Sequence, residues 1–235
     1  MNKKVLITGA SRGLGLALVG KYLGAGWTTY AGVRNPRARP LQTLKAQFPE
    51  TLQVLPLDVS DTALVETAAR ELQSSTDALD VIVNNAAIQL KNSRAPLEQV
   101  DFGGAMETYN VNTLGALRVT QAFLPFLLKG EMKMLVNVSS EAGSIGQCQR
   151  VSEFDYCMSK AALNMQSMIA QNYLKQHGVK VLAIHPGWVR TDMGGPGAPI
   201  EAGVAAEDIL RLVEAYQGRL EAPIFIDYMG QVLDW

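Results

Sequence analysis

The sequence has few of the residues that build disulfide frameworks and metal centres. Among its 235 residues are two cysteines, Cys148 and Cys157, and two histidines. Two cysteines outside any Cys-x-x-Cys pair cannot staple a small secreted domain, and two histidines offer no recognisable zinc-binding spacing. We therefore expect no metal site and a cytoplasmic location, where thiols stay reduced.

The sequence also lacks an excess of charge of either sign and lacks long apolar runs. Lysine and arginine number 21 against 22 aspartates and glutamates, for a formal net charge of −1. This balance excludes a strongly basic nucleic-acid-binding protein and a polybasic membrane-binding surface. No apolar run reaches about 18 residues, and the first run ends at Ile7, so we expect neither a transmembrane helix nor a signal peptide.

What the sequence does contain is an alternation of short apolar runs and longer helical segments. Seven runs are typical of strands buried on both faces of a parallel sheet: Lys4–Thr8, Thr28–Val33, Leu52–Leu57, Leu79–Asn84, Met132–Val138, Val179–His185 and Ile224–Ile226. Five segments have helical composition or spacing: Leu14–Leu23, Asp61–Leu72, Val111–Leu128, Tyr156–Gln176 and Val204–Tyr216. With no linker and no repeat, the alternation predicts one α/β domain over residues 1–235, a doubly wound parallel sheet of about seven strands with helices on both faces.

A glycine-rich turn follows the first predicted strand and leads directly into the first helix. It reads Gly9-Ala10-Ser11-Arg12-Gly13-Leu14-Gly15, a Gly-x-x-x-Gly-x-Gly spacing. Glycines permit a tight turn, and the N–H groups at a helix N-terminus bind phosphate oxygens. The position of the turn favours a Rossmann-like dinucleotide site over an ordinary strand-to-helix connection.

The residues after the second and third predicted strands indicate which dinucleotide is bound. Arg34 stands where an acidic residue would bind the 2′-hydroxyl of NAD, and Arg12 could supply a second cation. Both favour NADP(H), the alternative being two solvated surface arginines. Asp58 and Val59 are expected beside the adenine, although Asp58 could instead cap the helix that follows.

A second group of residues has the chemistry of proton transfer. Tyr156 and Lys160 lie four residues apart, on one face of a predicted helix. A nearby ammonium lowers the pKa of a phenol, which could then exchange a proton with a carbonyl or alcohol oxygen. Ser140 follows the fifth predicted strand, at the edge where open α/β sheets bind ligands. Asn112 lies within a predicted helix, either in a functional role or as a buried amide bonded to backbone.

Together these motifs resemble the short-chain dehydrogenase/reductase family. The resemblance rests on the following segments, in this order: Thr8–Gly15, Asn84-Asn85-Ala86-Ala87, Asn112, Ser140, Tyr156-x-x-x-Lys160 and Pro186-Gly187. The family's Asn-Asn-Ala-Gly ends here in Ala87, so we expect a local backbone adjustment. The long segment between Ser140 and Tyr156 and the C-terminal sequence are similar to the carbonyl-reductase, sniffer and C-factor-like branch.

The resemblance implies a role for each residue in an NADP(H)-dependent oxidoreductase. Tyr156 is implied as the acid/base, Lys160 as the ligand of the nicotinamide ribose that lowers the pKa of Tyr156, and Ser140, rather than Ser139, as the residue that orients the substrate oxygen. Asn112 is implied to hold a water that links Lys160 to solvent, and Asn84 to stabilise the central strands and to lie near the cofactor. The remaining implied cofactor contacts are Asn85, Ala86, Ala87, Pro186, Gly187, Val189 and Thr191.

The expected reaction moves hydride between nicotinamide and the carbonyl or alcohol carbon of a small molecule, most simply an aldehyde or ketone. A mostly apolar set of side chains is expected around this substrate: Ile88, Gln147, Cys148, Phe154, Trp188 and Met193. The alternative is an NADP-binding regulatory or signalling protein with little turnover. The presence of all four catalytic candidates weighs against that alternative.

The resemblance also implies a homo-oligomer, a dimer in preference to a tetramer. Its interface is expected on the two long helical segments, Val111–Leu128 and Tyr156–Gln176. They carry more apolar side chains than one sheet face readily covers: Leu117, Phe123, Phe126, Leu163 and Met168. No nucleic-acid or membrane partner is expected.

Overall fold

A computed structural model describes residues 3–235 of the protein. In chain order its strands are β1 (Lys4–Thr8), β2 (Thr28–Val33), β3 (Leu52–Pro56), β4 (Val81–Asn84), β5 (Met134–Val138), β6 (Lys180–His185), β7 (Val189–Arg190), β8 (Ile200–Glu201) and β9 (Phe225–Asp227). Seven of them form one parallel sheet in the order β3-β2-β1-β4-β5-β6-β9, and β7 pairs with β8. The predicted seven-stranded parallel sheet is confirmed, and its order reverses between β1 and β4, where open α/β sheets bind ligands.

Residues 3–235 form seven α-helices. They are α1 (Gly13–Gly24), α2 (Arg39–Gln47), α3 (Thr62–Gln73), α4 (Phe102–Tyr109), α5 (Gly115–Lys129), α6 (Phe154–Leu174) and α7 (Ala202–Tyr216). All but α4 pack on the two faces of this sheet. The sequence pattern does not predict α2 or α4. In α2 only Leu41 is buried, and α4 contains the poor helix formers Gly103 and Gly104. A π turn, Asn110–Leu114, joins α4 to α5.

The sheet buries a hydrophobic layer on each face. Val5 and Ile7 of β1 pack with α1, α2 and α7, whereas Leu6 faces the layer formed by α3, α5 and α6. Successive side chains of a strand point to opposite faces, so a strand covered on both sides has to be apolar throughout. This is why the strands appear in the sequence as continuous apolar runs.

The helical stretch Phe102–Lys129 is long and apolar enough by composition to cross a membrane, with a mean hydropathy of 1.2. Polar residues interrupt this stretch, so it does not stand out in the sequence as a continuous apolar run. Half of the 18 residues over which this hydropathy is averaged are buried within the protein, and Val119, Phe123 and Leu127 of the same stretch are buried in the core. Such burial is typical of a helix that belongs to the core.

The apolar side chains expected at an oligomer interface are mostly covered within the chain itself. Phe123, Phe126 and Leu163 are buried in the core, Met168 is half-buried, and only Leu117 is exposed. Helical spacing turns the first three toward the sheet. The apolar side chains exposed on α4, α5 and α6 are Phe102, Met106, Tyr109, Leu117, Met158, Met165, Ile169 and Tyr173.

Candidate active site

A cleft of about 760 Å³ opens at the carboxyl ends of strands β1 to β6. It falls within the range of small-molecule and cofactor sites, roughly 300–1,000 Å³. All the residues expected to contact the cofactor lie on its wall: Gly9, Ser11, Arg12, Gly13, Leu14, Gly15, Arg34, Asp58, Val59, Asn85, Ala86, Ala87, Tyr156, Lys160, Pro186, Gly187, Val189 and Thr191. Residues from six different loops thus meet in one place, as the topology requires.

The glycine-rich turn is packed too closely to hold side chains at two positions. A Cβ on Gly15 would lie 2.3 Å from the carbonyl oxygen of Gly9, and one on Gly9 would lie 2.8 Å from the Cα of Ala86. Asn85 locks the turn further, since its Nδ2 donates to the carbonyl oxygen of Thr8 at 2.8 Å. The N-terminus of α1 has no side-chain cap, so its first N–H groups are available to an anion.

The structure decides between the two roles expected of Asp58, a place beside the adenine or the cap of the helix that follows. Oδ1 of Asp58 accepts hydrogen bonds from the main chain and hydroxyl of Ser60, whereas Asp61 caps α3 by accepting from Leu64 N at 3.0 Å. Asp58 therefore does not cap the helix and lies on the cleft wall. Arg34 is exposed on the same wall and has no side-chain partner among residues 3–235.

The opposite end of the cleft holds the proton-transfer residues. The side chain of Lys160 is buried, and its Nζ donates to the carbonyl oxygen of Val138 at 2.8 Å and lies 5.6 Å from the centre of the Tyr156 ring. Ser140 is buried at the end of β5, where its Oγ accepts from Ala142 N at 3.1 Å and lies close enough to the phenol of Tyr156 to lower its pKa. Tyr156, Lys160 and Ser140 are thus brought together as expected.

The electrostatics of this trio differ from the expected lowering of the Tyr156 pKa by Lys160. Burial raises the pKa of Tyr156 to about 12, against a smaller lowering by the neighbouring hydroxyl of Ser140. Burial also lowers the pKa of Lys160 to about 8. Desolvation is the largest contribution, and the Nζ of Lys160 is bonded to Val138 and not to the phenol. At neutral pH Tyr156 is therefore a protonated acid.

Asn112 is buried in the π turn and does not line the cleft. Its Oδ1 accepts from Ile88 N at 2.8 Å, and its Nδ2 donates to Ile88 O at 2.9 Å and to Ser159 Oγ at 3.1 Å. Both amide hydrogens are in use, so the side chain has no donor left for a water. The geometry favours the backbone-bonded alternative, with Asn112 fixing the main chain of Ile88 at the cleft wall.

Asn84 has the role implied for it between the central strands. Its Nδ2 donates to Asn137 Oδ1 of β5 at 2.8 Å and to Thr120 Oγ1 of α5 at 3.1 Å. The side chain is buried and is absent from the cleft wall. Asn84 therefore joins two strands and a helix without facing the cleft.

The substrate end is less apolar than the sequence indicates. Ile88, Trp188 and Met193 line the cleft, whereas Gln147, Cys148 and Phe154 do not. Gln147 bonds to Asp234, and Phe154 faces a separate small cavity beside α4. Six polar or charged residues that were not predicted as substrate contacts also line the cleft: Gln89, Arg94, Glu141, Arg150, Glu153 and His185. Three of them are neighbours in the sequence of residues that were predicted: Glu141 follows Ser140, Gln89 follows Ile88 and His185 precedes Pro186.

Comparison with known proteins agrees with this architecture. A family model described as short chain dehydrogenase matches residues 3–199. C-signal from Myxococcus xanthus is 36% identical over 164 residues, which cover 68% of this chain and 95% of that protein.

Two solved structures superpose over the whole chain. NADPH-bound carbonyl reductase from chicken fatty liver has a TM-score of 0.88 and 31% identity, covering 100% of this chain and 99% of that one. Carbonyl reductase Sniffer of D. melanogaster has a TM-score of 0.90 and 28% identity, covering 100% of both chains. The chain therefore belongs to the short-chain dehydrogenase/reductase family.

Proposed function

We propose that this protein is an NADP(H)-dependent carbonyl reductase that uses Tyr156 as its acid. The observation that carries the proposal is the placement of two sites in one cleft. The uncapped N-terminus of α1 lies at one end, and Ser140, Tyr156 and Lys160 lie together at the other. A dinucleotide could extend between them and bring its nicotinamide to Tyr156.

The residues at the cofactor end fit an NADP(H) molecule. The glycine turn leaves room for a pyrophosphate against the helix N-terminus, and the exposed guanidinium of Arg34 is free to bind a 2′-phosphate. The chicken carbonyl reductase, similar over its whole length, is NADPH-bound. When bound, NADPH would supply the hydride, and the chain would supply position and the proton.

The proton chemistry favours reduction over oxidation at neutral pH. With a pKa of about 12, Tyr156 holds its proton and can donate it to a carbonyl oxygen that accepts a hydride at carbon. Ser140 can hydrogen-bond the same oxygen. Lys160, with a pKa of about 8, can lose and regain a proton near neutral pH and so lies well placed to help replace the one that Tyr156 gives up.

The test is NADPH consumption with a panel of aldehydes and ketones, followed by absorbance, in the native protein and in Tyr156→Phe. General acid–base catalysis is typically worth roughly 10²–10⁴-fold, and the variant should lose a factor of that order. Its dissociation constant for NADPH should remain unchanged, since only the transferable proton is removed. Turnover of Tyr156→Phe close to that of the native protein would contradict the assignment.

A second candidate is an NADP-binding signalling protein. The similarity to a protein named C-signal favours it. A signalling function does not explain why Ser140, Tyr156 and Lys160 converge on one wall of the cleft. NADPH binding without turnover of any carbonyl in the panel would favour this second candidate.

A further inference from the structure

Arg150 joins two acidic residues that flank the catalytic candidates. Its Nη2 lies 2.5 Å from Oε1 of Glu141, and its Nη1 pairs with Oε2 of Glu153. Glu141 directly follows Ser140 in the chain, and Glu153 precedes Tyr156 by three residues. One guanidinium therefore connects the segment that carries the serine to the segment that carries the tyrosine.

Glu153 is held in an unusual state at the start of α6. Its backbone is left-handed, with a φ of 63°, a conformation that residues other than glycine rarely adopt. Its carboxylate is only 7% exposed and also accepts from Gln89 Nε2 and Arg94 Nε, while its N–H donates to Ser93 O at 2.8 Å. Strained residues of this kind persist where the surroundings fix them, often at functional sites.

We propose that Arg150 is a positioning residue that holds Ser140 and Tyr156 in reacting geometry. The inference rests on the proposed function, because it concerns the same proton transfer. The planar fork of arginine can bind two carboxylates through different nitrogens, which a single ammonium cannot do with the same geometry. Arg150 therefore acts through Glu141 and Glu153 and needs no contact with substrate.

The bridge that Arg150 forms between Glu141 and Glu153 differs from an ordinary surface ion pair. Exposed pairs contribute little to stability, but the carboxylate of Glu153 is buried, so losing its partner leaves a poorly solvated charge. Arg94 cannot replace Arg150, since it is 80% exposed and reaches only Glu153. Within residues 3–235, Arg150 is the one cation paired with both carboxylates.

The bridge also balances charge around the phenol. Tyr156 is faced by Ser140 and Glu141 from the turn after β5, by Arg150 from the following loop, and by Cys157 and Lys160 from α6. Glu141 raises the pKa of Tyr156 and Arg150 lowers it. Removing one or the other should therefore shift the pKa of Tyr156 in opposite directions, which a general loss of structure would not do.

The experiment compares Arg150→Ala, Arg150→Lys and Glu141→Gln with the control Arg70→Ala, on α3 away from the cleft. We expect Arg150→Ala to lower kcat on the order of tenfold, below the 10²-fold that a 1 Å misplacement can cost. Arg150→Lys should recover part of this loss, and Arg70→Ala should match the native protein. The KM for NADPH should not change in any variant.

The second readout is the pH dependence of alcohol oxidation by NADP⁺, together with spectroscopic titration of the Tyr156 phenol against a Tyr156→Phe reference. The half-maximal pH should rise in Arg150→Ala, fall in Glu141→Gln and stay near native in Arg150→Lys, which keeps the charge. If Arg150→Ala does not fold, the Lys and Gln variants still give this ordering.

The outcomes separate the two proposals. Native kcat and an unshifted pH profile in Arg150→Ala, with Tyr156→Phe inactive, would overturn the role of Arg150 and leave the proposed function standing. A shift of the same sign in Arg150→Ala and Glu141→Gln would also overturn it. Absence of turnover in the native protein, with the tyrosine titration still shifted in opposite directions, would instead count against the proposed function.

Discussion

Arg12 and Asp192 form an ion pair across the cofactor end of the cleft, with Nη1 of Arg12 2.8 Å from Oδ2 of Asp192. Arg12 belongs to the glycine-rich turn, and Asp192 lies just after β7. Their side chains are 72% and 75% exposed, so either can leave the pair without a buried charge being stranded. In an NADPH-binding protein, Arg12 would have two competing anionic partners, Asp192 and the 2′-phosphate.

Asp192→Asn is therefore expected to tighten NADPH binding. An exposed pair contributes at most about 1 kcal/mol, so the dissociation constant should fall by no more than roughly fivefold. Calorimetry at low ionic strength measures the change, which should shrink as salt is added. The dissociation constant for NADH serves as the control, and an equal gain for both cofactors would show that Arg12 does not contact the 2′-phosphate.

Arg34 is expected to make NADPH the preferred cofactor. We expect the native protein to bind NADPH at least about tenfold more tightly than NADH, a difference of about 1.4 kcal/mol. Arg34→Asp should narrow or reverse this preference, chiefly by weakening NADPH, because a carboxylate repels the 2′-phosphate. Equal dissociation constants for the two cofactors in the native protein would refute the prediction.

Gly15→Ala should abolish or severely weaken dinucleotide binding, because the new methyl group would lie 2.3 Å from the carbonyl oxygen of Gly9. The turn would have to move away from the N-terminus of α1. Gly24→Ala, in the last turn of the same helix, meets no atom within 4 Å and is the matched control. Fluorescence titration with NADPH distinguishes them, and similar affinities for both variants would mean that the turn is not the phosphate site.

Lys160 should make stability depend on alkaline pH. Burial lowers its pKa from the usual 10.5 to about 8, so between these values the unfolded chain binds more protons than the folded one. The contribution of Lys160 to stability is thus least favourable below pH 8 and improves as the pH rises to about 10.5. Lys160→Met should lack this rise and lose activity. Parallel pH profiles of urea unfolding for the two proteins would contradict the prediction.

We propose a homodimer formed through the exposed apolar face of α6. Met158, Met165, Ile169 and Tyr173 follow one another at spacings of seven, four and four residues, which places them along one side of the helix. Light scattering at micromolar concentration should give twice the chain mass, and Ile169→Asp should reduce it toward the monomer. Val204→Asp, an exposed position on α7, is the control. A monomeric native protein would rule out the proposal.

The parts of the fold and site that could be predicted are those encoded locally. The continuous apolar runs identified all seven strands of the main sheet, and the Tyr156–Lys160 spacing indicated one helical face. The predicted strand Leu79–Asn84 starts two residues before β4, and the side chain of Asp80, just before β4, bonds to neighbouring loops. Its carboxylate accepts from the main-chain N–H groups of Lys4 and Glu131, which ties the loops together below the sheet.

The contacts that could not be predicted arise between distant segments. Arg150 and Glu153 lie in a loop without periodicity, and nothing in their spacing shows that they pair or that Arg94 joins them. Gln147, in the same loop, was expected at the substrate, but its side chain is hydrogen-bonded to Asp234. The direction of the Tyr156 pKa shift likewise depends on burial, which the Tyr-x-x-x-Lys spacing does not report.

The hydrogen bonds between Thr8 and the loop after β4 determine which parts of the cleft lose conformational entropy when a ligand binds. Thr8 Oγ1 accepts hydrogen bonds from the N–H groups of Asn85 and Ala86, both at 3.1 Å. The backbone at the floor of the cleft is therefore held in place by hydrogen bonds within the chain. A rigid floor loses little conformational freedom when a ligand arrives. The entropy that is lost on binding is then mainly that of a few long side chains at the rim of the cleft, among them Arg12 and Arg34. The affinity for the ligand therefore depends more on these side chains than on the backbone beneath them.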